Sequence, residues 1–137
     1  DKMLMDLGSG AGFPGIVLAI CNSNPEFHVK LYEKSPIKRK FLSSVKKIIN
    51  LNIDIAENVL DERIDADIVV ARAFKKLDKL IKISREIVKI PHKLIILKGK
   101  NAQQEINNVS LGKNYRYHLV NSVTSFDSKI IVLDVLK

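Results

Sequence analysis

Ten residues from Asp6 to Gly15, reading Asp-Leu-Gly-Ser-Gly-Ala-Gly-Phe-Pro-Gly, restrict what this chain can fold into more than any other stretch. An apolar run at 3–7 carries a carboxylate, Asp6, near its end. Three alternating glycines follow, Gly8, Gly10 and Gly12, and then Pro14, which can open a helix because the N–H it lacks would be unpaired there. A glycine turn permits close backbone approach to a ligand, since no Cβ stands in the way. Strand, glycine turn and helix in that order are how an α/β sheet meets a nucleotide-like ligand at the carboxyl ends of its strands. A tight turn with no ligand is the plainer alternative.

Two registers compete for the glycines. Gly10, Gly12 and Gly15 fit the dinucleotide fingerprint G-x-G-x-x-G, which alone is a weak signal and leaves Gly8 unexplained. The register Asp6-x-Gly8-x-Gly10-x-Gly12 accounts for the acid and all three alternating glycines. It resembles motif I of Rossmann-like methyltransferases, which bind S-adenosylmethionine. That ligand has no pyrophosphate and so does not require a free helix N-terminus.

The rest of the chain alternates. Strands are expected at 3–7, 28–33, 53–56, 67–72 and 93–97, with two consecutive strands at 115–123 and 129–135. Helices are expected at 14–21, from the Ser35 cap and Pro36 onward, from Leu77 until Pro91 closes it, and near 102–109. Ile37, Phe41, Val45, Ile48 and Ile49 recur at helical spacing in the second helix, and Leu77, Leu80, Ile81, Ile87 and Val88 in the third. Lys75, Lys79, Lys82 and Lys89 follow a stripe read as a solvated face. The apolar run at 67–72 implies burial on both faces of a sheet. The pattern predicts an α/β fold, a mostly parallel sheet of seven strands with helices on both faces and an antiparallel hairpin at the end.

At 137 residues the chain reads as one domain spanning 1–137. It opens inside a strand without a methionine, which suggests an excised domain or an incomplete chain. No apolar run approaches the ~18 residues of a membrane span, so no membrane partner is expected. The single cysteine, Cys21, rules out an internal disulfide, fits a cytoplasmic location and is expected to be buried on the first helix. His28, His92 and His118 lack metal-ligand spacing, so no metal is expected. A net charge of +8 from 23 Lys plus Arg against 15 acids points toward a polyanionic partner without naming a site.

Several blocks together resemble one family. They are the motif at 6–16, Lys38 and Phe41-Leu42 in the second helix, Ala71-Arg72-Ala73-Phe74 after the fourth strand, Leu97-Lys98-Gly99 after the fifth, and Glu105-Ile106 beyond it. In order and spacing they resemble the bacterial small-subunit (16S) ribosomal RNA guanine-N7 methyltransferases, also called glucose-inhibited division protein B, across essentially the whole chain. The family carries a helical segment before the first strand that this sequence does not contain. It also tends to place an arginine where Asn58 stands here, and a basic residue in place of Ile37.

The resemblance implies a class I methyltransferase fold, S-adenosyl-L-methionine as cofactor, and ribosomal RNA or the small subunit as partner of a monomeric enzyme. It implies that Gly8, Gly10 and Gly12 face the methionine part of the cofactor with Phe13 beside it, and that Asp6 meets its ammonium through water. Glu33 would accept the ribose hydroxyls, and Asn58, Val59 and Leu60 would line the adenine. Arg72 would contact the cofactor carboxylate, while Lys98 and, more weakly, Lys129 would hold RNA. Arg72 and Lys98 would position and not react, so no catalytic acid or base is assigned. Phe74 would either stack a base or belong to the core.

Residues that are absent help choose the target atom. The Asn/Asp-Pro-Pro-aromatic segment of amino-directed methyltransferases is replaced by Ala71-Arg72-Ala73-Phe74. Cys21 is on the wrong helix to be a nucleophile for carbon-5 chemistry. Guanine N7 has a lone pair and no proton to remove, so in-line attack needs alignment and no general base. A small-metabolite methyltransferase, a nicotinamide oxidoreductase and a cofactor-binding module without transferase activity remain the alternatives.

Overall fold

The computed structural model describes residues 2–10, 12–58, 65–72, 76–98, 101–123 and 128–136. Strand and helix alternate as β1 (Lys2–Leu7), α1 (Gly15–Cys21), β2 (Phe27–Tyr32), α2 (Pro36–Ile49), β3 (Ile53–Ala56), β4 (Ile68–Arg72), α3 (Leu77–Ile87), β5 (His92–Lys98) and α4 (Ala102–Asn107). A hairpin of β6 (Tyr115–Asn121) and β7 (Lys129–Val135) completes the order. All seven strands join one sheet in the order β3-β2-β1-β4-β5-β7-β6, the expected architecture. Strands β1 to β5 run parallel, and β7 runs antiparallel to both β5 and β6. The chain winds outward from β1 to β3 and then returns to place β4 on the other side of β1. That reversal opens a crevice at the carboxyl ends of β1 and β4, where α/β sheets bind ligands.

Two apolar layers hold the sheet. Ile16 of α1 and Leu42 of α2 pack on Leu4, Val29, Leu31, Ile53 and Val70. Leu77, Leu80, Ile81 and Ile87 of α3, with Ala102 and Ile106 of α4, cover Met5, Leu7, Val69, Ala71, Leu94, Ile96, Ile131 and Leu133 on the opposite face. Val69, Val70 and Ala71 are all buried, as a strand covered on both sides requires. Helix α3 buries Leu77, Leu80, Ile81 and Ser84, a 0, 3, 4, 7 series that sets one continuous stripe against the sheet. The two faces are unequal beyond β4. Ile95, Leu97, Ile130 and Val132, which point to the side of α1 and α2, are only half-buried, whereas Leu94, Ile96, Ile131 and Leu133 beneath α3 and α4 are sealed.

Helix boundaries follow local chemistry. The Ser35 hydroxyl accepts the N–H of Lys38 at 3.4 Å, Pro36 opens α2, and Asn50 closes it in the left-handed region at φ 54°. Two expectations fail here. Most of the apolar stripe read on α2 faces outward, with Ile37 83% and Ile48 82% exposed, while Val45 packs partly and Leu42 is the residue that reaches the core. The helix lies over β3 at the sheet's edge, where only the Leu42–Val45 side meets the sheet, so its surplus apolar residues face away. Cys21 is exposed for the same kind of reason, because seven-residue α1 buries only Gly15 and Ile16 and carries Cys21 on its outer side.

Candidate active site

At the end of β1, Asp6 points toward α1 and is completely buried. Its Oδ2 accepts the N–H of Gly15 at 2.9 Å, so the carboxylate caps the first turn of α1. Pro14 precedes that turn as the cap residue, so the helix starts one residue later than expected. Among the described residues the other oxygen, Oδ1, is buried with no hydrogen-bond partner. The Ser9 hydroxyl donates to the Asp6 main-chain carbonyl at 3.2 Å. Burial pushes the Asp6 carboxyl from 3.8 up to about 7, against the opposing pull of the Gly15 N–H, the Ser9 hydroxyl and the Arg72 charge, with the Glu33 charge adding to the rise.

The glycine loop is tied to the tip of β2. The N–H groups of Gly8 and Ser9 both donate to the Tyr32 carbonyl at 3.0 Å, and Gly12 N–H donates to the Ser9 carbonyl at 2.9 Å. Gly8, Gly10 and Gly12 all adopt positive φ, at 71°, 58° and 97°. At Gly12 a Cβ would stand 2.5 Å from Ile16 Cδ1, so packing demands glycine there. At Gly10 it would meet nothing within 4 Å, and the backbone there faces open space that a ligand can enter.

Glu33 stands one residue past β2. Its Oε1 accepts Gly10 N–H at 2.8 Å and its Oε2 accepts Ser35 N–H at 2.9 Å. Partial burial tends to raise its carboxyl, but those two N–H groups, the Lys38 charge and the Lys34 N–H outweigh it and hold the group below the usual range. Each oxygen keeps a further acceptor direction for a hydroxyl. Arg39 of α2 donates to the carbonyls of Glu33 at 2.9 Å and Lys34 at 2.8 Å and braces this corner. Its only signal in the sequence is a guanidinium one turn into a helix that follows an acidic strand end.

The remaining candidates spread along the same edge. Phe13 is 53% exposed beside the glycine loop. Asn58 is half-buried two residues beyond β3, and Val59, Leu60, Ala73, Phe74, Lys75 and Gly99 lie outside the described residues. Arg72 ends β4, exposed, and its charge reaches Asp6. Lys98 ends β5 with its side chain only 8% exposed and its ammonium 3.0 Å from Glu105. Lys129 pairs with Asn121 across the hairpin. Asp6, Gly10, Glu33 and Arg72 thus gather at the carboxyl end of the sheet, whereas Lys98 is turned into an ion pair with α4. Among the described residues no group of three or more His, Cys, Asp and Glu is placed to hold a metal, and no helix is long and apolar enough to cross a membrane.

An adenosine-bearing ligand with an ammonium group fits this crevice. Asp6 Oδ1 offers an unpartnered buried acceptor, Gly10 an open backbone, and Glu33 two oxygens at the end of β2.

Comparison with known proteins agrees with this fold. The protein of this fold from Methanococcus maripaludis, described as a putative S-adenosyl-L-methionine-dependent methyltransferase, superposes with a TM-score of 0.72 at 16% identity over 99% of this chain and 78% of that one. A putative rRNA-methylase from Clostridium thermocellum gives 0.72 at 8% identity over 99% and 87%. Among sequence relatives, the ribosomal RNA small subunit methyltransferase G of Pelagibacter ubique is 31% identical over 100% of this chain and 66% of its own length. That of Erythrobacter litoralis is 37% identical over 93% and 62%. This chain therefore spans about two thirds of the length of such relatives. The family model described as rRNA small subunit methyltransferase G matches residues 1–131, and the chain belongs to that family, GidB.

Proposed function

We propose that this chain binds S-adenosylmethionine in the crevice at β1, β2 and β4 and transfers its methyl group to N7 of a guanosine in small-subunit ribosomal RNA. The observation that carries the cofactor assignment is the buried, unpartnered Oδ1 of Asp6 beside the open backbone of Gly10. Family membership supports the RNA substrate. When bound, the sulfonium supplies an activated methyl group. The residues of the chain hold and orient. Asp6 would receive the ammonium directly or through water, which favours its charged form. Glu33 would accept the ribose hydroxyls while keeping its hold on Gly10 and Ser35. Asn58, Val59 and Leu60 would border the adenine, and Phe13 would cover the loop. Arg72, planar and exposed at the end of β4, would bind the cofactor carboxylate. Guanine N7 has no proton to lose, so alignment at this edge suffices without a general base. Lys98 would reach an RNA phosphate by exchanging Glu105 for it, and Lys129 would contribute at the hairpin.

Methyl transfer from labelled S-adenosylmethionine to unmodified small-subunit RNA and to assembled subunits, followed by nucleoside analysis, tests this reading. The expected product is 7-methylguanosine. 6-Methyladenosine would overturn the target atom, and calorimetric binding of NAD with none of S-adenosylhomocysteine would overturn the cofactor. Binding of S-adenosylhomocysteine with no transfer to either RNA form would leave a cofactor-binding module and refute the transferase assignment for this chain.

A further inference from the structure

Strand β5 carries Lys98 to the carboxyl end of the sheet, one strand from Arg72, whose register partner on β5 is Leu97. Side chains alternate along a strand, so Lys98 projects to the same side as Leu94 and Ile96, the side covered by α3 and α4. Lys129 of β7 is in register with Lys98 and shares that face. Like charges set opposite each other on paired strands repel. Lys129 pairs with the neutral Asn121, whereas Lys98 is compensated by a carboxylate from α4. Ala102 and Ile106 seat that helix on the core, and Glu105, next to Ile106, brings Oε1 to 3.0 Å from the Lys98 ammonium. The Lys98 side chain is 8% exposed and that of Glu105 28%, so the carboxylate is the outer member of the pair.

We infer that Glu105 is a specificity-determining residue: it withholds the Lys98 charge from loose contacts with RNA and yields it only to a phosphate seated at the crevice. This rests on the assignment of Lys98 to RNA given above. A chain with a net charge of +8 attracts any polyanion, and contacts to phosphates alone carry no sequence information. Every available lysine at the reacting edge therefore strengthens unselective binding. A paired ammonium on a side chain 8% exposed is out of reach of a strand that only grazes the surface. A docked strand holds its phosphate in a fixed place and can take the position of the carboxylate. The exchange replaces one oxyanion by another, so the ammonium is never left buried without a partner, and Glu105, the more exposed of the two, turns to water. An ammonium already neutralised by a carboxylate also holds no counterion to release, so it adds nothing to the salt dependence of loose binding.

Filter binding of the chain saturated with S-adenosylhomocysteine to polyuridylate, which holds no guanine, and to unmodified small-subunit RNA tests this across about 50 to 200 mM salt. For polyuridylate, Glu105→Gln should steepen the slope of log affinity against log salt by about 0.7, the value of one added single-strand phosphate contact. Its gain over the parent is then about threefold larger at the low-salt end than at the high-salt end. Preference for small-subunit RNA over polyuridylate should fall at least threefold. Glu105→Asp keeps the charge and should keep the parent slope, and the double variant Lys98→Gln/Glu105→Gln should return to it. Lys98→Gln alone leaves α4 untouched and should weaken small-subunit RNA at least fivefold while changing polyuridylate less than twofold. An unchanged slope in Glu105→Gln, equal steepening in Glu105→Asp, steepening that persists in the double variant, or equal weakening of both RNAs by Lys98→Gln would overturn the proposal. Methyl transfer is read separately. Transfer to small-subunit RNA with unchanged slopes defeats the role of Glu105 and leaves the function standing, and steepened polyuridylate binding without transfer does the reverse.

Discussion

Replacing Asp6 by asparagine should make the cofactor-free protein more stable in alkaline solution while weakening it as a binder. The folded protein raises the Asp6 carboxyl from 3.8 to about 7, so between those values the folded state holds a proton that the unfolded state has lost. Stability from this group is therefore full below about pH 4, falls as pH rises, and levels off above about 7, with a total loss of about 4 kcal/mol. Between pH 5.5 and pH 8 the loss is about 2 kcal/mol by the same relation. The asparagine side chain does not titrate and escapes it. Its amide places an unpaired NH₂ where Oδ1 stood, at a cost of ~1–3 kcal/mol that does not vary with pH. The difference in melting temperature between variant and parent should thus widen in favour of the variant by about 7 °C from pH 5.5 to pH 8, taking ~2.1 cal/mol/K of unfolding entropy per residue. Thermal unfolding followed by circular dichroism at the two pH values measures it. Binding of S-adenosylhomocysteine should strengthen with pH in the parent, since an ammonium selects the carboxylate, and stay flat in Asp6→Asn. An unfolding gap that is the same at both pH values would refute the claim that Asp6 is held near neutrality by burial.

Glu33→Gln keeps the shape but not the charge, and calorimetry should show a tenfold or greater loss of S-adenosylhomocysteine affinity with α2 intact. Because folding lowers the Glu33 carboxyl, its stabilising contribution is present above the unfolded value of 4.5 and is lost as pH falls through the folded one, so the parent should lose an acid-side advantage that the variant never has. Gly12→Ala should destabilise the fold by several degrees in a melting experiment, since its Cβ would meet Ile16 at 2.5 Å with φ at 97°. Gly10→Ala meets nothing in the protein and should cost only ~1–2 kcal/mol of backbone strain while sharply reducing cofactor affinity. Arg72→Ala should abolish methyl transfer and leave the melting curve within a few degrees of the parent, because the side chain is exposed; full activity would refute its role.

The sheet was legible because its signals are local. Apolar runs bounded by turn residues placed all seven strands, whereas the return from β3 to β4 on the other side of β1 is a topological choice that alternation alone does not fix. The crevice was legible for a related reason: Asp6, Gly10, Glu33 and Arg72 all sit at strand ends or in the turn just after one, and a parallel sheet brings those ends together. Side-chain burial on helices was not legible. Periodicity places Ile37, Phe41 and Ile48 around α2 but cannot tell which side faces the sheet, and the position of α2 over edge strand β3 decided for Leu42. Lys98 was read as an RNA contact, and its ion pair was not legible because its neighbour in space, Glu105, lies on another element. Arg39 was missed because its hydrogen bonds go to backbone carbonyls, which carry no sequence signal, and its charge pairs with Glu57, just past β3.

The two glycine registers are separated by what holds the start of α1. A dinucleotide site keeps the first N–H groups of that helix open toward a pyrophosphate. Here the Gly15 N–H is taken by Asp6 at 2.9 Å. Gly15 is glycine because a Cβ would stand 2.5 Å from Asp6 Oδ2 and 2.4 Å from Leu31 Cδ2, so the third glycine of the dinucleotide pattern answers to a buried carboxylate and not to a phosphate. The same carboxylate, once charged, repels an anionic linker and attracts a cation. Its second oxygen, buried without a hydrogen-bond partner among the described residues, can accept one further donor. The feature that makes Asp6 costly to the empty fold is therefore the one that would favour an ammonium-bearing ligand over a phosphate-bearing one.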